Sequence, residues 1–235
     1  MQKAPVLIVV AGGSSRRYGR DKLFEVLAGK PVFIHTLERL APAAKRTVLV
    51  VPPDKKARFR EAVGKYLPGR NIAFADGGAS RPESVRSGLA AAKAAPDELV
   101  AIHDAARPLA DAQLLRELCE LAAKVGGAVP GFPQADAQKC VDERGIIQTD
   151  LPRAGVWNVG TPQVFRAGAL QAAYRGDVAK CLDDAEAVRA AGGAVAVLPA
   201  DAPNIKITRP GDLEVLEILL RRLSRTGRRK DTGGG

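Results

Sequence analysis

Aromatic residues are scarce in this sequence: 4% of its 235 residues are Phe, Trp or Tyr, whereas 46% are hydrophobic. A core of this composition must be built mainly from aliphatic side chains. The shortage also removes the aromatic platforms on which single-stranded nucleic acid stacks. Although the formal net charge is +10, we therefore expect no nucleic-acid partner.

Cysteine is rare as well. Cys119, Cys140 and Cys181 lie far apart and match neither a disulfide framework nor the paired spacing of a zinc site. No apolar run approaches the roughly 18 residues of a membrane span, and the N-terminus lacks the layout of a signal peptide. We expect a cytoplasmic protein with reduced thiols and no membrane partner.

Much of the positive charge is concentrated in residues 221–230, ahead of a Thr-Gly-Gly-Gly ending. Cations at the end of a helix complement its dipole, and chain ends without an apolar face tend to be disordered. We therefore predict one domain over residues 1–225 and a disordered basic tail over residues 226–235.

The most informative stretch lies near the start of the chain. The apolar run Val6–Val10 is typical of a central parallel strand, and it is followed by Gly12, Gly13 and a series of cations that includes Arg17 and Lys22. Glycines allow backbone N–H groups to approach an anion closely. The spacing matches neither the dinucleotide fingerprint nor a P-loop. The loop predicts phosphate binding, and the alternative is a solvated basic turn.

Strands and helices alternate along most of the chain, which predicts an α/β fold with a doubly wound, mostly parallel sheet. Ligands of such sheets bind at the carboxyl ends of the strands. The apolar patterns predict strands at residues 6–10, 46–51, 72–74, 99–102, 127–130 and 194–198, with an edge segment at 204–208. They predict helices at residues 31–40, 54–66, 82–95, 111–125, 167–174, 183–191 and 210–223.

The alternation fails between residues 132 and 162. Two short strands flank Glu143-Arg144-Gly145, a pattern typical of a β-hairpin. A hairpin that projects from an α/β sheet exposes apolar residues that another surface has to cover. We therefore predict a protruding arm at residues 132–157 that joins two copies of the chain into a homodimer.

Asp104 follows the strand predicted at residues 99–102, within the stretch His103-Asp-Ala-Ala-Arg-Pro108. A carboxylate at a strand end, opposite a phosphate-binding loop, suits Mg²⁺, which binds carboxylate and phosphate oxygens. A helix cap or an ion pair with Arg107 fits the spacing equally well. His103 has no serine or cysteine in a nucleophile context, so we interpret it as structural.

The sequence carries five separated motifs, namely Ala11-Gly12-Gly13…Arg17…Lys22, Gly77-Gly78…Arg81…Ser84-Val85, His103 to Pro108, Thr161-Pro-Gln163 and Asn204-Ile-Lys-Ile-Thr208 with Pro210 and Asp212-Leu213. In this order and spacing they resemble the 2-C-methyl-D-erythritol 4-phosphate cytidylyltransferase family of the non-mevalonate isoprenoid pathway. The resemblance extends over nearly the whole chain, to about residue 223. It implies a Rossmann-like fold of the nucleotide-diphospho-sugar transferase type.

The resemblance implies that a sugar-alcohol phosphate oxygen attacks the α-phosphorus of CTP in line. CMP is transferred, pyrophosphate leaves and 4-diphosphocytidyl-2-C-methyl-D-erythritol is formed, without a covalent enzyme intermediate. Phosphoryl-type transfer needs positioning and charge neutralisation more than a protein nucleophile. The cation-rich motifs of this chain agree with that requirement.

The resemblance also implies a role for each motif residue. Asp104 would bind Mg²⁺. The phosphates of the nucleotide would be neutralised by Arg17, Lys22 and Lys206. The cytosine would be recognised, largely through backbone groups, by Ala11, Gly12, Gly13, Gly78, Ser84 and Ala105. The methylerythritol phosphate would contact Arg107, Asp136, Arg153 and Thr161, with Arg153 crossing to the neighbouring subunit's site.

Two departures from the family pattern bear on the substrate. The arm has Asp136-Ala137 where the family usually has Asp-Thr, so one hydroxyl contact to the substrate phosphate is missing. The first loop is shorter than usual and partly similar to that of molybdenum cofactor guanylyltransferases, which lack the motifs at residues 103–108 and 204–208. A ribitol 5-phosphate cytidylyltransferase is the nearer alternative. A non-catalytic nucleotide- or nucleic-acid-binding protein is the alternative from another class.

The same residues also have purely structural interpretations. Ser84 and Thr161 would then be helix caps, and Lys206 and Arg153 would be ordinary surface cations. Asp136 would pair with Lys139 within the arm.

Overall fold

A computed structural model describes residues 4–12, 18–19, 21–200 and 204–231, with side chains up to residue 223. Gly13 and Arg17, two residues of the predicted phosphate-binding loop, lie outside the described residues. Among the described helices, none combines the length and the apolar character that crossing a bilayer requires.

The elements follow one another along the chain as strands β1 to β12 and helices α1 to α7. The strands are β1 (Val6–Val10), β2 (Val26–Leu27), β3 (Lys30–Pro31), β4 (Arg46–Val51), β5 (Ile72–Asp76), β6 (Leu99–Asp104), β7 (Gly127–Pro133), β8 (Gln138–Val141), β9 (Ile147–Leu151), β10 (Trp157–Val159), β11 (Gln163–Arg166) and β12 (Ala196–Pro199). The helices are α1 (Val32–Leu40), α2 (Lys56–Tyr66), α3 (Arg81–Ala92), α4 (Ala112–Val125), α5 (Ala167–Arg175), α6 (Asp184–Ala190) and α7 (Asp212–Asp231). Short 3-10 turns at Ala41–Ala43 and Pro53–Lys55 follow α1 and precede α2.

Strand β1 is the centre of an eight-stranded sheet. It pairs in parallel with β4 on one side and with β6 on the other, and β5 lies parallel to β4 beyond. Every residue of β1 is buried, as expected for a strand with helices on both faces. Val10 lies opposite Val50 of β4 and Asp104 of β6, so these strands end at the same edge.

Two buried clusters occupy the two faces of this sheet. Leu7 and Val9 of β1 join a cluster with side chains of α1, α4 and α7. Ile8 and Val10 join a second cluster with side chains of α3, α5 and α6. Successive strand residues point to opposite faces, so the short apolar run of β1 contributes to both halves of the core.

The other half of the sheet is mixed. Strand β11 lies between β6 and β7 and runs antiparallel to both, β10 is antiparallel to β7, and β12 is parallel to β7. The predicted mostly parallel α/β sheet is confirmed. Strands β10 and β11 were not predicted, because runs of 3 and 4 residues are too short to show a period.

Three predictions of local structure are wrong. Strand β6 continues through His103 to Asp104, because it stays paired with β1 up to Val10. Residues 204–208 form no strand. Helix α7 continues to Asp231, so residues 226–231 are helical where we predicted disorder, in keeping with the good helix propensity of Arg and Lys.

The predicted hairpin arm is present as the antiparallel pair β8–β9, which is separate from the main sheet. Gly145 at its turn has a φ of 81°, a conformation that favours glycine. Apolar side chains of the arm are exposed, among them Ile146 and Ile147 at 57% each. Lys139 forms its ion pair with Asp150 across the hairpin, so the structural alternative that paired it with Asp136 is wrong.

Helix α3, which carries part of the predicted site, approaches the sheet closely at Gly88. A Cβ atom at this position would lie 2.5 Å from Cγ2 of Ile8 and 2.9 Å from Cγ2 of Val50. Both neighbours are β-branched residues of buried strands, whose χ1 angles have few alternatives. The close approach therefore depends on the missing side chain.

We expect Gly88→Ala to lower the free energy of unfolding by about 1–3 kcal/mol, because overpacking outweighs the gain of about 1 kcal/mol in helix propensity. Gly64→Ala is the matched control, since it lies in the exposed helix α2 with no atom within 4 Å of the added Cβ. It should stabilise the protein slightly. Urea denaturation measures both variants, and equal effects at the two positions would contradict the close packing.

Candidate active site

The carboxyl ends of β1, β4 and β6 form the edge at which the predicted site residues gather. The Ala11 N–H donates to the carbonyl oxygen of Val50 at 2.8 Å, and the Ala105 N–H donates to that of Val10 at 3.0 Å. These bonds extend the parallel ladder by one residue beyond each strand. Ala11 and Ala105 therefore lie on adjacent strand ends, where parallel sheets bind ligands.

Two glycines pack closely against Ser84 next to these strand ends. Cβ atoms built on Gly12 and Gly77 would lie 3.0 and 3.2 Å from the Ser84 Oγ atom, so a side chain at either position would crowd this hydroxyl. The Ser84 hydroxyl accepts from the Gly78 N–H at 3.2 Å and donates to the Ser80 carbonyl oxygen at 2.9 Å. The glycine motif and the start of α3 are thus joined through one hydroxyl.

Ser84 is not a helix cap. The residue that caps α3 is Ser80, whose side chain accepts from the Glu83 N–H. Ser84 lies one turn further in and is fully buried. The structural alternative for Ser84 is therefore wrong, and its hydroxyl fixes the backbone of Gly78.

Asp104 ends strand β6 as a buried carboxylate among three cations. Its Oδ2 atom lies 2.7 Å from the Lys206 Nζ atom and 3.8 Å from the Arg107 Nε atom, and its Oδ1 atom lies 3.4 Å from the Arg81 Nε atom. Burial by itself would raise the pKa of Asp104, but the charges of Lys206 and Arg81 lower it well below its usual range. Asp104 is therefore ionised at neutral pH.

Arg81 is oriented from its far side by Asp184. The guanidinium donates to both carboxylate oxygens of Asp184, at 3.2 and 2.7 Å. Asp184 is fully buried and also accepts from the Tyr174 hydroxyl. Burial would lower the pKa of Arg81, but the Asp184 charge raises it above its ordinary value. The two-oxygen contact fixes the guanidinium plane, which leaves the Nε atom facing Asp104.

Thr161 and His103 lie directly beneath Asp104. The Thr161 Oγ1 atom accepts from the Asp104 backbone N–H at 3.0 Å and lies 3.1 Å from the His103 Nδ1 atom. Burial lowers the pKa of His103 to about 4, so the imidazole is neutral at pH 7. Thr161 caps no helix, and the structural interpretation of His103 agrees with its complete burial.

Lys22 reaches the same edge from the first loop. Its ammonium donates to the carbonyl oxygen of Ile207 at 2.8 Å, and the preceding residue is Lys206, which contacts Asp104. The two lysines predicted to act on the phosphates therefore come from distant parts of the chain to neighbouring positions. Lys206 is not an ordinary surface cation, because its ammonium is bonded to a buried carboxylate.

The structure does not bring every predicted residue to this edge. Arg153 and Asp136 are exposed on the arm, and within the described part of the chain no hydrogen bond or ion pair joins either one to the cluster around Asp104.

Other members of the cluster were not predicted from the sequence. Arg81 was noted as part of a motif without a role, and Asp184 and Tyr174 were not noted. A buried carboxylate whose partner is 103 positions away in the chain leaves no local signal.

A metal ion at this edge would have few protein ligands. The described residues include no group of three or more His, Cys, Asp or Glu side chains that could hold one. Asp104 offers a single carboxylate, and the 3.4 Å separation from the Arg81 Nε atom leaves its Oδ1 atom weakly bonded. This donor set fits Mg²⁺, which commonly takes one or two carboxylates and completes its shell with water and phosphate oxygens.

The geometry defines a class of protein. A mostly parallel α/β sheet whose strand ends carry a glycine motif, a carboxylate and several cations is the arrangement of a nucleotidyltransferase. The sequence profile of the family described as IspD, 2-C-methyl-D-erythritol 4-phosphate cytidylyltransferase, matches residues 5–222. The chain belongs to this family.

Relatives of the same description match almost the whole chain. A Dehalococcoides mccartyi 2-C-methyl-D-erythritol 4-phosphate cytidylyltransferase is 38% identical over 223 residues, which cover 94% of this chain and 97% of the relative. The Cereibacter sphaeroides enzyme of that name is 40% identical over 217 residues, covering 91% and 95%.

Solved structures agree with the sequence relatives. The 2-C-methyl-D-erythritol 4-phosphate cytidylyltransferase of Thermus thermophilus superposes with a TM-score of 0.73 at 31% identity and covers 93% of this chain and 99% of its own. A 4-diphosphocytidyl-2C-methyl-D-erythritol synthase superposes with a TM-score of 0.79 at 30% identity, covering 94% and 99%. The predicted family, fold and activity are confirmed: the protein is a CTP-dependent cytidylyltransferase of isoprenoid biosynthesis.

We expect Asp184→Asn to lower the free energy of unfolding by about 3 kcal/mol, because it leaves the Arg81 guanidinium without its buried counter-charge. Tyr174→Phe is the milder comparison, since it removes one hydrogen bond to the same carboxylate and should cost about 1 kcal/mol. Urea denaturation followed by circular dichroism measures both. Losses below about 0.5 kcal/mol for both variants would show that the buried pair contributes little.

Proposed function

We propose that the cluster around Asp104 is where the triphosphate of CTP meets the methylerythritol phosphate. The observation that carries this proposal is the convergence of Lys206, Arg81 and Arg107 on one ionised carboxylate at the strand ends. Two phosphorylated substrates bring several negative charges into one space. Together with Lys22, the edge holds four cations against the two carboxylates Asp104 and Asp184, and this net positive charge is what the phosphates need.

We infer that the cytosine binds beside the strand ends that carry Ala11 and Ala105. Ala11, Gly12, Gly78 and Ala105 would face the base mainly with their backbone groups, and the pairing that places Ala11 and Ala105 on adjacent strand ends supports this arrangement. Ser84 would act on the base indirectly, because its buried hydroxyl accepts from the Gly78 N–H and so holds the Gly78 backbone. Gly13 is assigned to the cytosine site by the sequence motif alone.

In the mechanism that we propose, a phosphate oxygen of the sugar alcohol attacks the α-phosphorus while pyrophosphate leaves from the opposite side. Lys22 and Lys206 stabilise the negative charge that develops on the phosphorus oxygens, and Arg17 is assigned to the triphosphate by its motif position. Cations placed where charge develops are each worth about 10²–10³ in rate. Asp104 keeps Lys206 extended towards the reacting atoms.

Mg²⁺ is the proposed cofactor. Asp104 would hold it together with phosphate oxygens of the nucleotide. When bound, the ion neutralises phosphate charge and aligns the leaving group. Arg81, whose Nε atom lies 3.4 Å from the Asp104 Oδ1 atom, would help to keep Asp104 ionised.

We also propose that the enzyme works as a homodimer joined by the arm at residues 132–157. Apolar side chains of the arm and its base are exposed, including Phe132 at 55% and Ile147 at 57%, and burying them against a second copy would be favourable. Arg153 and Asp136 lie on this arm, away from the cluster of their own chain. Crossing to the neighbouring subunit would bring them to the methylerythritol phosphate, alongside Arg107 and Thr161.

A cytoplasmic location is part of the proposal. Cys119, Cys140 and Cys181 are all free, which suits a reducing compartment.

We expect Lys22→Ala to lower kcat by about 10²–10³, because it removes a cation from the developing charge. The change should leave the unfolding free energy within about 1 kcal/mol, since the lysine lies on a loop. Pyrophosphate release with CTP, Mg²⁺ and methylerythritol phosphate measures kcat. Lys124→Ala on the exposed end of α4 is the matched control. Near-normal turnover of Lys22→Ala would remove Lys22 from the proposed mechanism.

A mixture of two inactive variants tests the arm. Lys206→Ala disables the reacting site, and Arg153→Ala disables the arm. If Arg153 serves the neighbouring subunit, co-expression gives mixed dimers with one complete site each, and random pairing restores about a quarter of the wild-type activity. If Arg153 serves its own chain, the mixture stays inactive, and if it serves no site, Arg153→Ala is active by itself. Either result would show that the proposed crossing of the arm is wrong.

A further inference from the structure

A closed ring of hydrogen bonds lies beneath the candidate active site. It passes from the Thr161 hydroxyl to the His103 ring at 3.1 Å, and from there to the Arg107 carbonyl oxygen at 3.1 Å. The Arg107 guanidinium donates to the Asn204 carbonyl oxygen at 2.7 Å, and the Asn204 side chain donates back to the Thr161 carbonyl oxygen at 2.6 Å. The ring joins the end of β6, the segment before β11 and the segment after β12.

The direction of each bond at His103 follows from the donors available. The Arg107 carbonyl oxygen can only accept, so the His103 Nε2 atom must carry a hydrogen. A neutral imidazole has one N–H, and therefore the Nδ1 atom is an acceptor. The Thr161 hydroxyl must then donate to Nδ1, while its oxygen accepts from the Asp104 N–H. His103 thus works as a spacer with one acceptor and one donor on opposite sides.

Each side of His103 leads to a different group of the site. Through Nδ1 and Thr161 it holds the backbone of Asp104, at the last residue of β6. Through Nε2 it holds the main chain of Arg107, whose N–H closes a turn onto the Asp104 carbonyl oxygen at 3.0 Å. Rotation of the imidazole would release both at once. The Thr161 hydroxyl uses both of its hydrogen bonds within the protein, one with the His103 Nδ1 atom and one with the Asp104 N–H.

We propose that His103 is a positioning residue that sets the Asp104 carboxylate through Thr161 and the Arg107 guanidinium through the Arg107 main chain. This inference rests on the proposed roles of Asp104 and Arg107. It also gives Thr161 a function as the link between His103 and Asp104. His103 touches neither substrate nor reacting atoms, because it is fully buried under the strand end.

Two substitutions separate the two sides of the imidazole. His103→Asn keeps an acceptor near the Nδ1 position and loses the donor towards Arg107. His103→Gln keeps a donor near the Nε2 position and loses the acceptor towards Thr161. We expect His103→Asn to raise KM for methylerythritol phosphate about tenfold with a smaller change in kcat. We expect His103→Gln to lower kcat about tenfold with a smaller change in KM, each being the effect of one lost hydrogen bond.

A further variant keeps the test decisive. Thr161→Val should lower kcat like His103→Gln, because both break the same link between His103 and Asp104. Kinetics are measured on the full-length enzyme at a temperature where circular dichroism shows every variant to be folded. Equal changes of kcat and KM in the Asn and Gln variants, or none, would overturn the positioning role.

The outcome is separable from that of the proposed function. If Asp104→Ala and Arg107→Ala retain wild-type kinetics, the proposed site itself is wrong and the positioning role falls with it. If they lose activity while His103→Asn and His103→Gln remain at the wild-type level, the site stands and the inference about His103 alone is wrong.

Discussion

The attraction between one buried carboxylate and the cations around it is the constraint on which this site depends. Asp104 stands at the last residue of β6, where the parallel ladder ends and its side chain meets Lys206, Arg81 and Arg107. Burial alone would raise the pKa of this carboxylate, because it disfavours the charged form. The cations hold the pKa low, and in turn the carboxylate collects three positive groups from parts of the chain that share no secondary structure. Asp104 is therefore the common partner of these three cations.

Two of these cations are also bonded to a second group of the protein, so their positions are set before any substrate binds. Arg81 is fixed by the buried Asp184, and Arg107 is tied to Asn204. Lys22 is tied to the backbone next to Lys206. Preorganised charges need no rearrangement when negative charge develops on the phosphates. This arrangement suits a reaction that uses no protein nucleophile and gains its rate from position and electrostatics.

The sequence was sufficient to predict the strands and the motifs but not the contacts between them. Strands such as β1 and β4 are apolar runs long enough to show their character, and parallel strands place their carboxyl ends together, so Asp104 and the glycine loop could be assigned to one edge. Strands β10 and β11 are too short to be predicted, although β11 separates β6 from β7. Asp184 looks in the sequence like any acidic residue at the start of a helix. Its role is to hold Arg81 of α3, which lies 103 positions earlier in the chain. No local sequence pattern indicates a contact between residues so far apart.

The proposed homodimer would account for two features of the arm. Its apolar side chains are exposed among the described residues of the chain, and Arg153 is exposed as well, with no hydrogen bond or ion pair to the described residues around Asp104. A short hairpin has little stability when it stands alone, so a partner that covers it would also fix the orientation of Arg153. If that partner is a second copy, assembly and substrate binding become linked, because the same contact that buries the arm would supply the charge for the second phosphate. The dimer would then be a condition of activity as well as of stability.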